Sequence, residues 1–108
     1  MKLSLLSNLK IIDLSTVLAG PSVATFFAEL GAEVIKIENK RFGDVTRTWK
    51  LPSEEKESPI SAYFSAVNYK KKYTSLDISN SSDHTEFIEM TNSSDILIMN
   101  FKKAMKRN

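Results

Sequence analysis

Apolar residues come in short dense runs along this chain, interrupted by one helical stretch and one long irregular stretch. Lys10-Ile11-Ile12-Asp13-Leu14 is an apolar run of strand length, of the kind that fills a buried parallel strand. After it, Val23, Phe26, Phe27 and Leu30 recur at i, i+3, i+4 and i+7, which is one face of an amphipathic helix. Gly20-Pro21 opens that helix: Gly20 takes the bend, and Pro21 suits the first helical position, where its missing N–H is no loss. Gly31 stands where a left-handed residue would close the helix. Val34-Ile35-Lys36-Ile37 is the next strand. Together these form a β-α-β unit, and such crossovers are right-handed.

Residues 39–62 carry no period. They hold Gly43, Pro52, Pro59 and the acidic cluster Glu54, Glu55 and Glu57, and a segment like this inside a compact domain is usually functional or mobile. Ser61 to Val67 reads as a short helical turn with Tyr63 and Phe64 packed inward. Tyr73 to Ile78 alternates as a strand does. Ser79-Asn80-Ser81-Ser82 offers helix-capping side chains, and Asp83 with Glu86 has capping-box spacing, so a helix runs from there to about Thr91. Asp95 to Met99 is another buried strand. Alternation of strands and helices predicts an α/β fold with a parallel sheet.

With 108 residues, 42% hydrophobic and 26% charged, the chain has the balance of one globular domain with a real core. A net charge of +2 gives no reason to expect nucleic acid or a membrane surface as partner. The absence of cysteine excludes disulfides, thiolate catalysis and cysteine-ligated metals. A lone histidine, His84, argues against a histidine-rich metal site. Polar residues break up Met1 to Asn8 too early for a signal-peptide core, no stretch approaches a membrane span, and a cytoplasmic location is the default.

The wording of the segments is more specific than their pattern. Ala19-Gly20-Pro21, Leu30-Gly31-Ala32-Glu33-Val34-Ile35-Lys36-Ile37-Glu38, Gly43-Asp44 and Arg47 are followed by Tyr63-Phe64, Asn68 and Lys70-Lys71-Lys72. Leu76-Asp77, Asp95-Ile96-Leu97-Ile98 and Asn100-Phe101 complete the set. In this order and near this spacing they closely resemble the N-terminus of the CaiB/BaiF family, the class III coenzyme A transferases, with α-methylacyl-CoA racemase as a relative. The resemblance implies that residues 1–108 are a partial, Rossmann-like domain, the opening part of the family's large domain. Family members are several times longer and form interlocked homodimers. That points to a fragment, a truncated reading frame or a pseudogene product, marginally stable because its sheet edge and faces are uncovered. It also implies acyl-CoA as the substrate and no permanently bound cofactor. The family's nucleophile is an aspartate that forms a mixed anhydride and then an aspartyl-CoA thioester. It lies beyond this chain, and no aspartate here matches its motif, so no catalytic residue is expected among these residues. A non-enzymatic module that binds coenzyme A or docks on a full-length relative is the alternative, and a racemase relative a further one.

Four clusters are candidates for coenzyme contact. Thr16-Val17-Leu18-Ala19-Gly20 lies between a strand's carboxyl end and a helix N-terminus, where ligands bind in open α/β sheets. One glycine does not make a dinucleotide fingerprint, so a purely structural turn stands equally open. By resemblance Thr16, Val17, Leu18 and Ala19 line the coenzyme A site, although formyl-CoA transferases carry His and Gln where this chain has Thr16 and Leu18. Asn39-Lys40-Arg41, with Gly43-Asp44 and Arg47, could meet the coenzyme's phosphates or be a solvated loop. Asn39 stands where formyl-CoA transferases place a coenzyme-contacting arginine, and Lys40 or Arg41 would have to substitute for it. In Asn68 to Lys72, Lys71 is favoured for a phosphate contact or a stabilising role, and Leu76 and Ser79 match coenzyme-lining positions. At the C-terminus Asn100 and Phe101 are expected contacts, with Arg107 in register with a family arginine once one gap is allowed. The family's Pro-Gly is missing there, and a frayed terminus is the competing reading. His84 reads as solvent-facing, Asp13 as a buried, hydrogen-bonded carboxylate, and Phe26, Phe27, Trp49, Tyr63 and Phe64 as packing residues.

Overall fold

The computed structural model describes residues 5–101. Four strands, β1 (Lys10–Asp13), β2 (Glu33–Asn39), β3 (Lys72–Leu76) and β4 (Ile96–Ile98), alternate with helices α1 (Ala19–Glu29), α2 (Ala62–Asn68) and α3 (Ser81–Asn92). All strand pairs are parallel, and the sheet order is β3-β2-β1-β4. The sheet therefore grows outward from β1 in both directions. Crossovers of one hand then require α1 and α2 on one face and α3 on the other, and that is the arrangement found. This is the α/β fold with a parallel sheet that the alternation of elements predicts, and the Rossmann-like arrangement that the resemblance implies.

Register decides what each face holds. Ile11 pairs with Val34 and Ile12 with Ile35, so successive residues feed opposite layers. Ile11 and Val34 pack with Ala24, Ala28 and Ala32 beneath α1. Ile12, Leu14, Ile37 and Leu76 form the second layer, reached by Phe87 and Met90 of α3. Complete burial of Ile11 and Ile12 contributes about 1.5–3 kcal/mol each.

Two details of α1 differ from the pattern read in the sequence. Its buried face is Pro21, Ala24, Thr25 and Ala28, whereas Val23 and Phe26 are 49% and 59% exposed. The helix is apolar nearly all round, and the small face goes inward because it lets the backbone approach the sheet. Thr25 on that face donates to Val67 O at 2.5 Å and ties α1 to α2. The bend is not at Gly20 either: the helix starts at Ala19 and Val17 takes the positive φ, 73°. Glycine is required at position 20 because a Cβ there would run into Cβ and Oγ of Ser15. Gly31, at φ 104°, does close the helix. For α3 the cap is Asn80, which accepts from Ser82 N and Asp83 N; Asp83 instead accepts from Asp77 N, so the Asp83–Glu86 box does not form.

The irregular segment is ordered by its own side chains. Asp44 caps a short 3-10 turn over Val45–Thr48. Lys50 Nζ donates to the carbonyls of Glu55, Lys56 and Ser58 at 2.6, 3.1 and 2.5 Å. The Glu54 carboxylate accepts from Leu51 N and Ala62 N. Trp49 and Tyr63 meet edge to face, 5.2 Å between centroids.

Candidate functional site

A cleft of about 440 Å³ opens at the carboxyl ends of the strands, on the α3 side. That edge is where open parallel sheets bind ligands, because the loops after each strand converge there. Leu14, Ile37, Leu76, Ile78 and Phe101 give the cleft an apolar floor continuous with the second core layer. Thr16, Glu38, Asn39, Arg41, Asp77 and Ser79 supply polar groups. Such a mixture suits a flat, partly apolar ligand with polar and anionic appendages.

The loop after β2 is built to overhang this cleft. Asn39 Oδ1 accepts from Arg41 N at 2.8 Å and Phe42 N at 3.3 Å, and Gly43 closes the turn at φ 62° with its N–H on Asn39 O. Asn39 is thus the organiser of the loop, and Arg41 is the cation it carries to the wall. No carboxylate pairs with Arg41 among the described residues. Lys40, by contrast, pairs with Asp83 at 3.0 Å. Asp77 is held below the usual carboxylate range, chiefly by the Ser79 hydroxyl; burial opposes this, and the Ser79 N–H and the Arg41 charge add to the lowering.

The opposite face of the sheet holds three ion pairs, two of them fully buried and the third partly so. Lys71 Nζ reaches Asp13 Oδ2 at 2.8 Å, Pro21 O at 2.9 Å and Asn68 Oδ1 at 2.6 Å, with both charged side chains fully buried. Lys36 Nζ reaches Asp44 Oδ2 at 2.9 Å and Ser15 O at 3.0 Å. Arg47 forks onto Glu38 at 2.8 and 2.7 Å and stacks 3.9 Å over the Phe64 ring. Burial pushes the Glu38 carboxyl up, but the Arg47 fork and the Asp44 N–H outweigh it and hold it below its ordinary value. Asp44 is lowered in the same way: burial opposes, while Lys36 and the Thr46 N–H and hydroxyl prevail. Burial lowers the Lys71 ammonium, and Asp13 only partly offsets that.

Of the residues singled out from the sequence, Thr16, Asn39, Leu76, Ser79 and Phe101 line the cleft. Asn100 does not line it; its amide donates to Thr16 O at 2.7 Å and accepts from Thr16 N at 3.1 Å. Val17 turns the chain, Leu18 is the exposed N-cap of α1, and Ala19 is the first residue of α1. Lys40 stands off the cleft on Asp83. Lys71 is 7% exposed as a residue, and its three donors are all engaged inside the protein. Arg107 lies outside the described residues. Sequence reasoning missed Leu14, Ile37 and Ile78, which read as packing, and Phe42, whose signal was its place beside Arg41 in the loop after a strand. Among the described residues no group of three or more His, Asp or Glu side chains could hold a metal ion, and no helix is long and apolar enough to cross a membrane.

The pattern of CoA-transferase family III matches residues 6–108. An acyl-CoA transferase of Fusarium pseudograminearum is 38% identical over 102 residues, covering 90% of this chain and 22% of the relative. A succinate–glutarate CoA-transferase of Agrobacterium fabrum is 36% identical over 101 residues, covering 91% and 25%. A crystal structure of a CaiB/BaiF family protein from Brucella suis superimposes with a TM-score of 0.82 at 36% identity, over 92% of this chain and 26% of that one. The chain thus spans about a quarter of the length of the relatives it matches.

Proposed function

The chain belongs to CoA-transferase family III, and we propose that it forms the coenzyme A-holding part of an enzyme that moves coenzyme A from an acyl-CoA to a carboxylic acid. The observation that carries this reading is the cleft at the strand ends, with its apolar floor and Arg41 on its wall. The floor takes the adenine ring, and Arg41 takes a phosphate group, the role its always-charged planar fork suits best. Coenzyme A and its thioesters come and go as substrates, with no resident cofactor.

The acyl-transfer step belongs elsewhere. In this reading an aspartate outside these 108 residues attacks the thioester carbonyl and expels the coenzyme A thiolate, leaving a mixed anhydride. The thiolate then attacks the aspartyl carbonyl and releases the donor acid. All five aspartates of the chain are otherwise engaged: Asp13 and Asp44 with buried lysines, Asp77 with Ser79, Asp83 with Lys40 and Asp77 N, and Asp95 with Lys10 N. The same observation favours a second reading, a coenzyme A-binding module with no chemistry of its own. Cytoplasmic location and assembly into homodimers go with the first. Val23 and Phe26 then lie against the rest of the enzyme.

Isothermal titration of the 108-residue chain with coenzyme A tests the binding, with Arg41→Ala weakening it about tenfold and Lys40→Ala leaving it within twofold. A folded chain that takes up no coenzyme A sinks the proposal. Transfer from an acyl-CoA to formate or succinate by this chain alone would show that its chemistry is not elsewhere.

A further inference from the structure

In the turn between β1 and α1, side chains hold five successive backbone groups, from Ser15 N–H to Val17 N–H. Ser15 N–H donates to Asp13 Oδ1 at 2.9 Å, and Ser15 O accepts from Lys36 Nζ at 3.0 Å. Thr16 N–H donates to Asn100 Oδ1 at 3.1 Å, and Thr16 O accepts from Asn100 Nδ2 at 2.7 Å. Val17 N–H donates to the Asp44 carboxylate, 3.3 Å from Oδ2. These holders come from β1, β2, the loop after β2 and the loop after β4. What they hold is unfavourable alone: Val17 is β-branched and sits at φ 73°, a conformation such residues rarely adopt and keep only when their surroundings over-determine it. Thr16, in the middle of the turn, lines the cleft.

We propose that Asn100 is a positioning residue for coenzyme A, acting through the Thr16–Val17 backbone together with Asp44 and Lys36, and not by touching the coenzyme. The proposal rests on the coenzyme A-binding reading above. Its chemistry is specific to asparagine. The Thr16 backbone presents one donor and one acceptor, and a carboxamide answers both. Aspartate has no donor for Thr16 O. Clasped in this way, the ends of the neighbouring strands β1 and β4 move as one piece, and the cleft keeps its shape before any ligand arrives.

The test uses the 108-residue chain with Asn100→Asp, which keeps the acceptor and sets a carboxylate oxygen against Thr16 O, and with Asn100→Ala as the second variant. Three readouts are taken: melting temperature, the Thr16 and Val17 amide resonances without ligand, and affinity for free coenzyme A. Affinity is expected to fall about tenfold with little change in melting, and the Val17 resonance to move in the ligand-free protein. Adding Val17→Asn, because asparagine enters the left-handed region readily, is expected to recover most of the lost affinity. Turn resonances that stay in place while affinity falls, with no recovery from Val17→Asn, would make Asn100 a direct contact and overturn the proposal. If the wild-type chain takes up no coenzyme A, the proposed function fails. The resonances then still decide the present point, because an unmoved turn overturns it.

Discussion

Replacing Lys71 with methionine separates two roles that a lysine in this position can have. The ammonium is fully buried and donates to a carboxylate, a peptide carbonyl and an amide oxygen, all within 2.9 Å. Methionine keeps most of the stem, so no large cavity opens, but Asp13 loses its counterion and retains only the Ser15 N–H and hydroxyl. Removing one member of a buried pair costs about 3–5 kcal/mol, a large share of the roughly 5–15 kcal/mol that holds a domain of this size together. Urea unfolding is expected to show a midpoint shift of that size with the slope unchanged. Asp13→Asn in the same chain removes the stranded charge and is expected to return about 2 kcal/mol, and the Asp13→Asn single variant completes the double-mutant cycle that gives the coupling. A loss below about 1 kcal/mol would refute the argument. So would a Lys71→Met protein of normal stability whose coenzyme A affinity had fallen tenfold, since that result belongs to an ammonium facing ligand.

The other predictions concern acid, close packing and the irregular segment. Glu38 and Asp44 are held below their ordinary values in the fold, so the unfolded chain binds more protons at low pH. Their contribution is complete above roughly pH 5 and is lost as pH falls through the lowered folded values. The melting temperature is expected to drop between pH 5 and pH 3, and Glu38→Gln to flatten that slope; a flat profile in the wild type would count against the buried pairs. Gly20→Ala drives a Cβ into Ser15, whose hydroxyl is tied to Asp13. A cost of about 1–3 kcal/mol is expected from overpacking, and one below about 0.5 kcal/mol would mean that Ser15 moves freely. Lys50→Met strips the donor from three loop carbonyls. Limited proteolysis within residues 51–60 is expected to quicken severalfold at unchanged global stability, and equal rates would show that the ammonium does not order the loop.

How much of this was legible depends on whether a local pattern or a distant partner decides the outcome. β1, β2 and β4 were readable because parallel strands are short apolar runs, β3 because its residues alternate, and Gly31 because a helix end needs a positive φ. The buried face of α1 was not readable. Val23, Phe26 and Phe27 give a stronger apolar period than Ala24, Thr25 and Ala28, yet a helix laid on a sheet sets its spacing by its smallest side chains. Gly20 was recognised as necessary for the wrong reason, since its constraint is Ser15, five residues earlier. Within the cleft Thr16, Asn39, Leu76, Ser79 and Phe101 were named in advance, while Leu14, Ile37 and Ile78 were hidden by their resemblance to ordinary core. The roles of Lys71 and Asn100 were the least legible, because each depends on a partner more than fifty residues away.

Placing the three ion pairs on one side of the sheet and the apolar floor of the cleft on the other follows from strand register. Asp13, Lys36 and Glu38 share the α1 side with Ile11 and Val34, while Leu14 and Ile37 point to the α3 side. A cleft floored by residues of the alternating set is therefore apolar, and the charged set falls at the same strand ends but behind them. Each ion pair there ties the sheet to a loop or helix next to the cleft: Lys71 to α1 and α2, Lys36 to the β1–α1 turn, Arg47 to the segment ending at Pro59. Those three cations and their three carboxylates cancel, so the network adds rigidity without a net field across the sheet. Arg41, on the cleft side, makes no ion pair among the described residues, and its charge acts on the Asp77 carboxylate that lines the same cleft. An anionic ligand at the strand ends meets the Arg41 charge and a fixed frame, and the two respond to different substitutions. Arg41→Ala should change affinity and its salt dependence while stability holds. Lys36→Met should change both together, because the frame is what it removes. A Lys36→Met protein with full stability and lost affinity would break this division, since it would place the buried ammonium within the ligand's reach.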